Sequence, residues 1–442
     1  MAASPYFKVS LSFVFLSCYA LLLNAETTSL SLKEAVSETR SQSPKVLRAE
    51  SVAKEASFRK TEAYSGFLPT LNLSSTYLTK YRYMLTDINL GAGPISIPAV
   101  IPTSNIALTA QIPLFDGFTS TNRLSSASSF EIAADQEFNW IQFQTEREVT
   151  LQFYKTLGSQ ILKEVADQNV KTLEDHLTDV SLFKKAGLST HYDVLRVEVQ
   201  VSEAKTELLN SIDNIEINRS RLNEIYGKES DPRELNGILP ILDAALIKNL
   251  DVQNLSSRLD LNALENKTAG FKYAETAMER YWVPHVNAFG QYQYYNNIND
   301  RFDDRDHYRE AYQIGLNLTW TIFDGMASIS KSKQSIEQKF QAEKTLKIAQ
   351  LKAQQDASFW KRKYIYFCQV YKSRTADVQK ATESLRLVKE GRRVGARTNT
   401  EFLDTETDLF RAKAGQVNAQ IGAVEALINL ELATGQKLYQ FN

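Results

Sequence analysis

Few residues of this 442-residue chain stand at spacings that could do chemistry. The four histidines, His176, His191, His285 and His307, do not repeat any metal-ligand spacing, and there is no Cys-x-x-Cys pair beside them. No phosphate-binding glycine loop, dinucleotide fingerprint or nucleophile elbow is present. Asp303, Asp304 and Asp306 lack the spacing and the glycine of an EF-hand, and read as a solvated loop. Lys361-Arg362-Lys363 reads as an exposed helix face. Arg392, Arg393 and Arg397 cluster near the end of the second long helical pattern. Taken alone, those arginines read as a solvated helix face near a C-terminus, where cations favour the helix dipole. No catalytic constellation emerges, and neither an enzyme nor a cofactor is expected. The formal net charge of −1 supplies no basic field for nucleic acid.

The elements around these residues are organised by a repeat. Leu114-Phe115-Asp116-Gly117 returns as Ile322-Phe323-Asp324-Gly325, an offset of 208 between Asp116 and Asp324. The same offset links Gly187 to Gly395 and Gly227 to Gly435. Self-similarity at three separated points implies two copies of one unit. Each copy of Phe-Asp-Gly ends an alternating apolar and polar run and begins a long helical pattern. It therefore marks a joint where a strand hands over to a helix.

Residues 1–25 read as a secretory signal, with Lys8 ahead of an apolar run from Val9 to Leu23 and Asn24-Ala25 before a polar start. Cys18 leaves lipid attachment as an alternative. Helix is expected over 30–66, with a capping box at Ser31 and Glu34 and a second start at Ser43-Pro44. Strands are expected over about 67–85 and 104–115, joined by a loop rich in Gly and Pro, and again over about 283–297 and 310–323. Long proline-free helices are expected over about 118–186 and 326–394, each turning at a glycine into a second helix, the first over 191–226. Residues 243–281 read as a further helix.

Val194, Val197, Val201, Ala204, Leu208, Ile215 and Leu222 fall on alternating steps of three and four, and Phe402, Leu409, Ala412, Ala419, Ala423, Ala426 and Leu430 echo them. That period winds helices as antiparallel coiled coils. The division is then repeat one over 26–227, a connector over 228–242 that would form a belt at mid-height, and repeat two over 243–442. Four strands with aromatic clusters (Tyr292, Tyr294, Tyr295, Tyr312, Trp320) resemble part of a membrane barrel with an aromatic girdle, and closing it needs several copies of the chain.

Leu32-Lys33-Glu34-Ala35, Phe67-Leu68-Pro69, Ile112-Pro113-Leu114-Phe115-Asp116-Gly117, Trp282-Val283-Pro284, Phe323-Asp324-Gly325 and Val394-Gly395-Ala396-Arg397-Thr398 together resemble the TolC-like outer-membrane efflux proteins over nearly the whole mature chain. The resemblance implies an α+β membrane protein: a homotrimer whose twelve-stranded barrel in the outer membrane continues as a helical tunnel across the periplasm. It implies a passive exit duct for efflux or type I secretion, joined through a periplasmic adaptor to an inner-membrane transporter of the RND, ABC or MFS type, with outer-membrane lipid around the barrel. It also implies a gate at the helix turns. There Glu401 and Asp404 match ring acids, Arg397 and Asp193 match an inter-hairpin link, and Arg392 takes the place of a tyrosine. Phe115, Asp116, Gly117, Phe323, Asp324 and Gly325 become the strand-to-helix junctions at the membrane boundary. The rival expectation is a periplasmic coiled-coil adaptor or structural protein without a pore.

Overall fold

The computed structural model describes residues 29–80, 85–89, 91, 93–98, 102–299 and 301–441. The expected signal segment, Cys18 and part of the expected strand 67–85 lie outside them. In chain order the elements are β1 (Leu30–Ser31), α1 (Leu32–Gln42), α2 (Pro44–Tyr64), β2 (Thr70–Tyr77), β3 (Leu85–Asn89), β4 (Pro94–Pro98), β5 (Ser104–Phe115), α3 (Thr119–Lys185), α4 (His191–Tyr226), β6 (Leu235–Asn236), α5 (Leu259–Glu279), β7 (His285–Asn296), β8 (Tyr308–Thr319), α6 (Ala327–Arg393) and α7 (Asn399–Thr434). The bounds of α3 and α4 recur in α6 and α7 with the offset of 208 found in the glycines. Each long helix has 67 residues, about 100 Å at 1.5 Å per residue.

Several elements differ from the sequence reading. The strand expected over about 310–323 ends at Thr319, so Phe323 lies past the sheet rather than at its end, and β2 ends at Tyr77. The helix expected over 243–281 is confined to α5, after a short 3-10 turn at Ala244–Ile247. Between them Asp251 accepts from the Gln253 amide at 2.9 Å and Asn254 from the Ser256 amide at 3.1 Å, side-chain turns that compete with helix. The Gly- and Pro-rich loop after β2 contains a ribbon of its own, β3 paired antiparallel with β4.

The main sheet has the order β2-β5-β7-β8, all antiparallel. Its register sorts the side chains into two faces. Leu73, Leu108, Tyr292 and Tyr312 form one cross-strand row, and Leu71, Ala110, Gly290 and Ile314 the next. On this face Ile314 is 84% and Leu316 70% exposed, so a broad apolar surface faces outward. The other face carries Asn72, Thr109, Gln291 and Gln313 in one row. There Gln291 donates to Thr109 at 3.2 Å and accepts from Gln313 at 2.5 Å and Gln293 at 3.0 Å, an amide network without charge. A register shift between Pro113 and Phe115 bends β5 just before it leaves the sheet.

The helices bury two cores. One sits at mid-height, where Phe153, Tyr154 and Leu157 of α3, Tyr364 and Cys368 of α6 and Leu427, Ile428 and Leu430 of α7 close around Leu239, Leu242 and Ile247 of the connecting segment. The parallel pair β1–β6 ties the first residues to that segment. The second core joins Val170, Leu173 and Val180 of α3, Val194, Val197 and Val201 of α4, Leu385 and Val388 of α6 and Phe402 of α7, toward the far end of the helices. Among the described residues no helix is long and apolar enough to cross a membrane.

Candidate functional site

Two places combine unusual backbone with clustered polar groups: the strand-to-helix junctions and the ends of the helical hairpins. At the junctions Gly117 and Phe118 have φ of +67° and +65°, and Gly325 and Met326 have +69° and +68°. Two successive left-handed residues turn the chain out of the sheet and into the helix, a conformation that only the glycines adopt freely. The aspartates then satisfy the new helix. Asp116 accepts the Ser120 amide at 2.7 Å, and Asp324 accepts both the amide and the hydroxyl of Ser328, at 2.9 and 2.5 Å. Each carboxylate thus caps orphan N–H groups from outside the first turn. Phe115 packs edge-on against Phe118 at 5.9 Å, whereas Phe323 is exposed.

At the hairpin ends, Asp193 and Glu401 hold equivalent positions in the two repeats. Thr190 caps α4 and Asp193 closes a capping box with it, and Thr398 and Glu401 do the same for α7. Hydrogen bonds from Thr190 hold the Asp193 carboxyl below the usual carboxylate range, and the Thr398 amide followed by Arg397 does so for Glu401. Arg397, just ahead of the Thr398 cap, pairs at 2.9 Å with Glu401 of α7. Asp404 is exposed one turn further on. Arg392 behaves differently. It points inward, donates to His176 Nδ1 and lies over the rings of Phe402 at 5.3 Å and Phe183 at 5.7 Å. His176 is buried, its Nε2 is 2.5 Å from Asn399 Oδ1, and its ring lies 4.0 Å from that of Phe402. The Asn399 amide nitrogen faces the Asp193 carboxylate and helps to keep it acidic, although it completes no hydrogen bond within the chain. Arg196 of α4 donates to Thr400 of α7 at 2.8 Å beside this cluster. Among the described residues, no three His, Cys, Asp or Glu side chains stand together as a metal site.

Residues 252–436, most of the second repeat, match the family model described as outer membrane efflux protein. No curated protein matches the chain in sequence. Among solved structures it is similar to the outer membrane protein VceC of Vibrio cholerae, with 16% identity and a TM-score of 0.76 over 92% of this chain and 97% of that one. It is also similar to CusC, at 12% identity, TM-score 0.78 and 92% of each chain. The MtrE outer membrane channel of Neisseria gonorrhoeae, in its open state, aligns at 16% identity and TM-score 0.74 over 92% and 89%. At these identities the likeness is one of fold.

The helix turns bring Asp193, His176, Asn399 and Arg392 together from four helices, while Glu401 and the exposed Asp404 lie on α7, with Arg397 just ahead of its cap. His176, Asn399, Thr400 and Arg196 were not singled out from sequence, because only the packing of α3, α4, α6 and α7 unites them. The capping boxes did leave a signal, Thr-x-x-Asp at 190–193 and Thr-x-x-Glu at 398–401. Thr190→Ala and Thr398→Ala are each expected to cost about 1 kcal/mol of helix-end stability. Faster amide exchange confined to the first turns of α4 or α7 checks this, and unchanged protection in both variants counts against the caps.

Proposed function

We propose that this protein is the outer-membrane exit duct of a tripartite efflux or type I secretion system. The observation that carries the reading is the continuity of an outward apolar sheet face with helices about 100 Å long. A helix of that length serves a passage deeper than a bilayer, whose apolar core is about 30 Å thick. The sheet of one chain leaves β2 and β8 as open edges, which lipid does not tolerate. Three copies supply twelve strands, enough to close a barrel with the apolar face toward lipid and the amide network toward the lumen. The protein is accordingly read as an outer-membrane homotrimer of a Gram-negative bacterium, with its helices in the periplasm. Residues 1–25 act as the export signal, and 228–242 form a belt between the two repeats. A periplasmic adaptor joins the helical ends to an inner-membrane transporter, which supplies the energy, so the duct needs no catalytic residue of its own.

The outer edge of α7 fits the gate in this reading. Three copies of Glu401 and Asp404 form a ring of carboxylates at the narrow end, which favours cations. Asp404→Asn is the cleaner probe, because Glu401 also caps its helix. It is expected to lower the cation preference of single channels in planar bilayers several-fold, read from the reversal potential in a salt gradient. The duct itself is tested by purifying the protein from outer membranes in detergent and measuring mass and conductance. A water-soluble monomer that forms no pore overturns the reading.

A further inference from the structure

Arg392 of α6, His176 of α3 and Asn399 of α7 form one hydrogen-bonded run between the two hairpins, with Asp193 of α4 beyond it. We propose that His176 is the positioning residue that locks the two helical hairpins of each protomer together, and that a proton on its ring releases them. The consequence, opening of the periplasmic end, rests on the duct reading. The lock itself rests on the geometry of this cluster.

The imidazole fits its partners only when neutral. A guanidinium has donors alone, so Nδ1 must meet Arg392 with its lone pair, and Nε2 then carries the hydrogen given to Asn399 Oδ1 at 2.5 Å. A second proton would go to Nδ1 and set two cations against each other in a site where His176 is 3% exposed. Of the groups that act on the ring, only the hydrogen bond with Asn399 favours the charged form. From α6, Lys389 and Arg392 both oppose it. From α3, Asp179 acts on Arg392. From α7 come the neutral Asn399 and, one turn beyond Phe402, Glu406, whose carboxyl is itself pushed up by burial. Asp193 of α4 is reached only through Asn399 and is held by its own cap. Burial and then Arg392 lower the imidazole from 6.5 to about 4. The locked state therefore binds fewer protons than the released one between those values. The lock is at full strength above about pH 6.5 and weakens as pH falls toward 4. The Arg196–Thr400 bond contains no group that titrates in this range, so acid loosens the first turns of α7 without detaching them.

Amide hydrogen exchange over residues 399–406 of the full chain in detergent, corrected for the intrinsic effect of pH, reads the lock without needing a pore. Between pH 7 and 5 the wild type is expected to lose protection there by on the order of 10-fold, with no change around Leu427. His176→Gln keeps an oxygen for Arg392 and an amide for Asn399, and should hold its protection constant. A flat wild type, or a glutamine variant that responds like the wild type, overturns the proposal. In planar bilayers, acidifying the side that faces the helical ends should raise conductance for the wild type alone. Exchange that responds in a protein forming no pore leaves the lock standing and removes the duct reading. Flat exchange in a conducting protein removes the lock and leaves the duct.

Discussion

Glu431→Ala is expected to cost about 3–5 kcal/mol of folding stability, a large part of the roughly 5–15 kcal/mol that holds a typical domain. Glu431 of α7 is fully buried at mid-height. One of its oxygens takes Arg147 Nη1 of α3 at 2.8 Å, and the other takes the amides of Leu438 and Tyr439 at 2.7 and 3.0 Å. Removing the carboxylate strands a guanidinium that is itself buried and whose Nε already lacks a partner within the chain. It also frees the segment after α7, which otherwise packs Phe441 against Tyr154 at 5.4 Å and ties Lys437 to Glu146 at 3.1 Å. An apolar pair should relieve the stranded charge but not the two amides. Arg147→Met with Glu431→Leu is therefore expected to recover part of the loss, the remainder marking the Leu438 and Tyr439 amides left without an acceptor. Urea midpoints of the helical circular-dichroism signal, compared across the three variants in one detergent, check both statements. A single variant that loses less than about 1 kcal/mol, or a double variant no better than the single, argues that the pair is not the keystone of this level.

Much of this fold was legible because its signals are periodic and local. α4 (191–226) and β5 (104–115) fall where a closing glycine and strict alternation place a helix and a strand, at about those positions. The 208-residue offset carried that confidence into α6 and α7. The failures are of a different kind. Residues 248–258 continue an apolar pattern, but Asp251 and Asn254 bond to nearby amides and win locally over helix. The β3–β4 ribbon has five residues a strand, among prolines and glycines that read as loop. At the hairpin ends the sequence pointed to Asp193, Arg392, Arg397, Glu401 and Asp404 through likeness to a family, and had no means to find what joins them. His176 lies 216 residues from Arg392 and 223 from Asn399, and no motif spans such distances. Its meaning as a proton-sensitive contact comes from a guanidinium on one side and an amide on the other, which only the packed helices bring together.

The two junction glycines should not be equally replaceable, although sequence treats them as copies. Valine at either site forces a β-branched residue to a φ near +68°, at a cost of about 1–3 kcal/mol. At Gly325 nothing stands within 4 Å of the position a Cβ would take. At Gly117 that atom would lie 2.8 Å from Cβ of Val283, the residue before the proline that leads into β7. Crowding of that kind adds about 1–3 kcal/mol. Gly117 is therefore expected to tolerate neither alanine nor valine. Gly325→Ala should be mild, and Gly325→Asn nearly neutral, because asparagine enters the left-handed region readily. Assembled oligomer recovered from membranes, at matched expression, is the measurement. If Gly117→Ala is impaired by its contact rather than by its φ alone, Val283→Gly in the same chain, which removes the Cβ that is met, should restore part of the yield, and should do nothing for Gly325→Val. Equal yields from the two alanine variants would show that backbone conformation alone sets the junctions. In that case the tighter packing of the first repeat has no part in assembly.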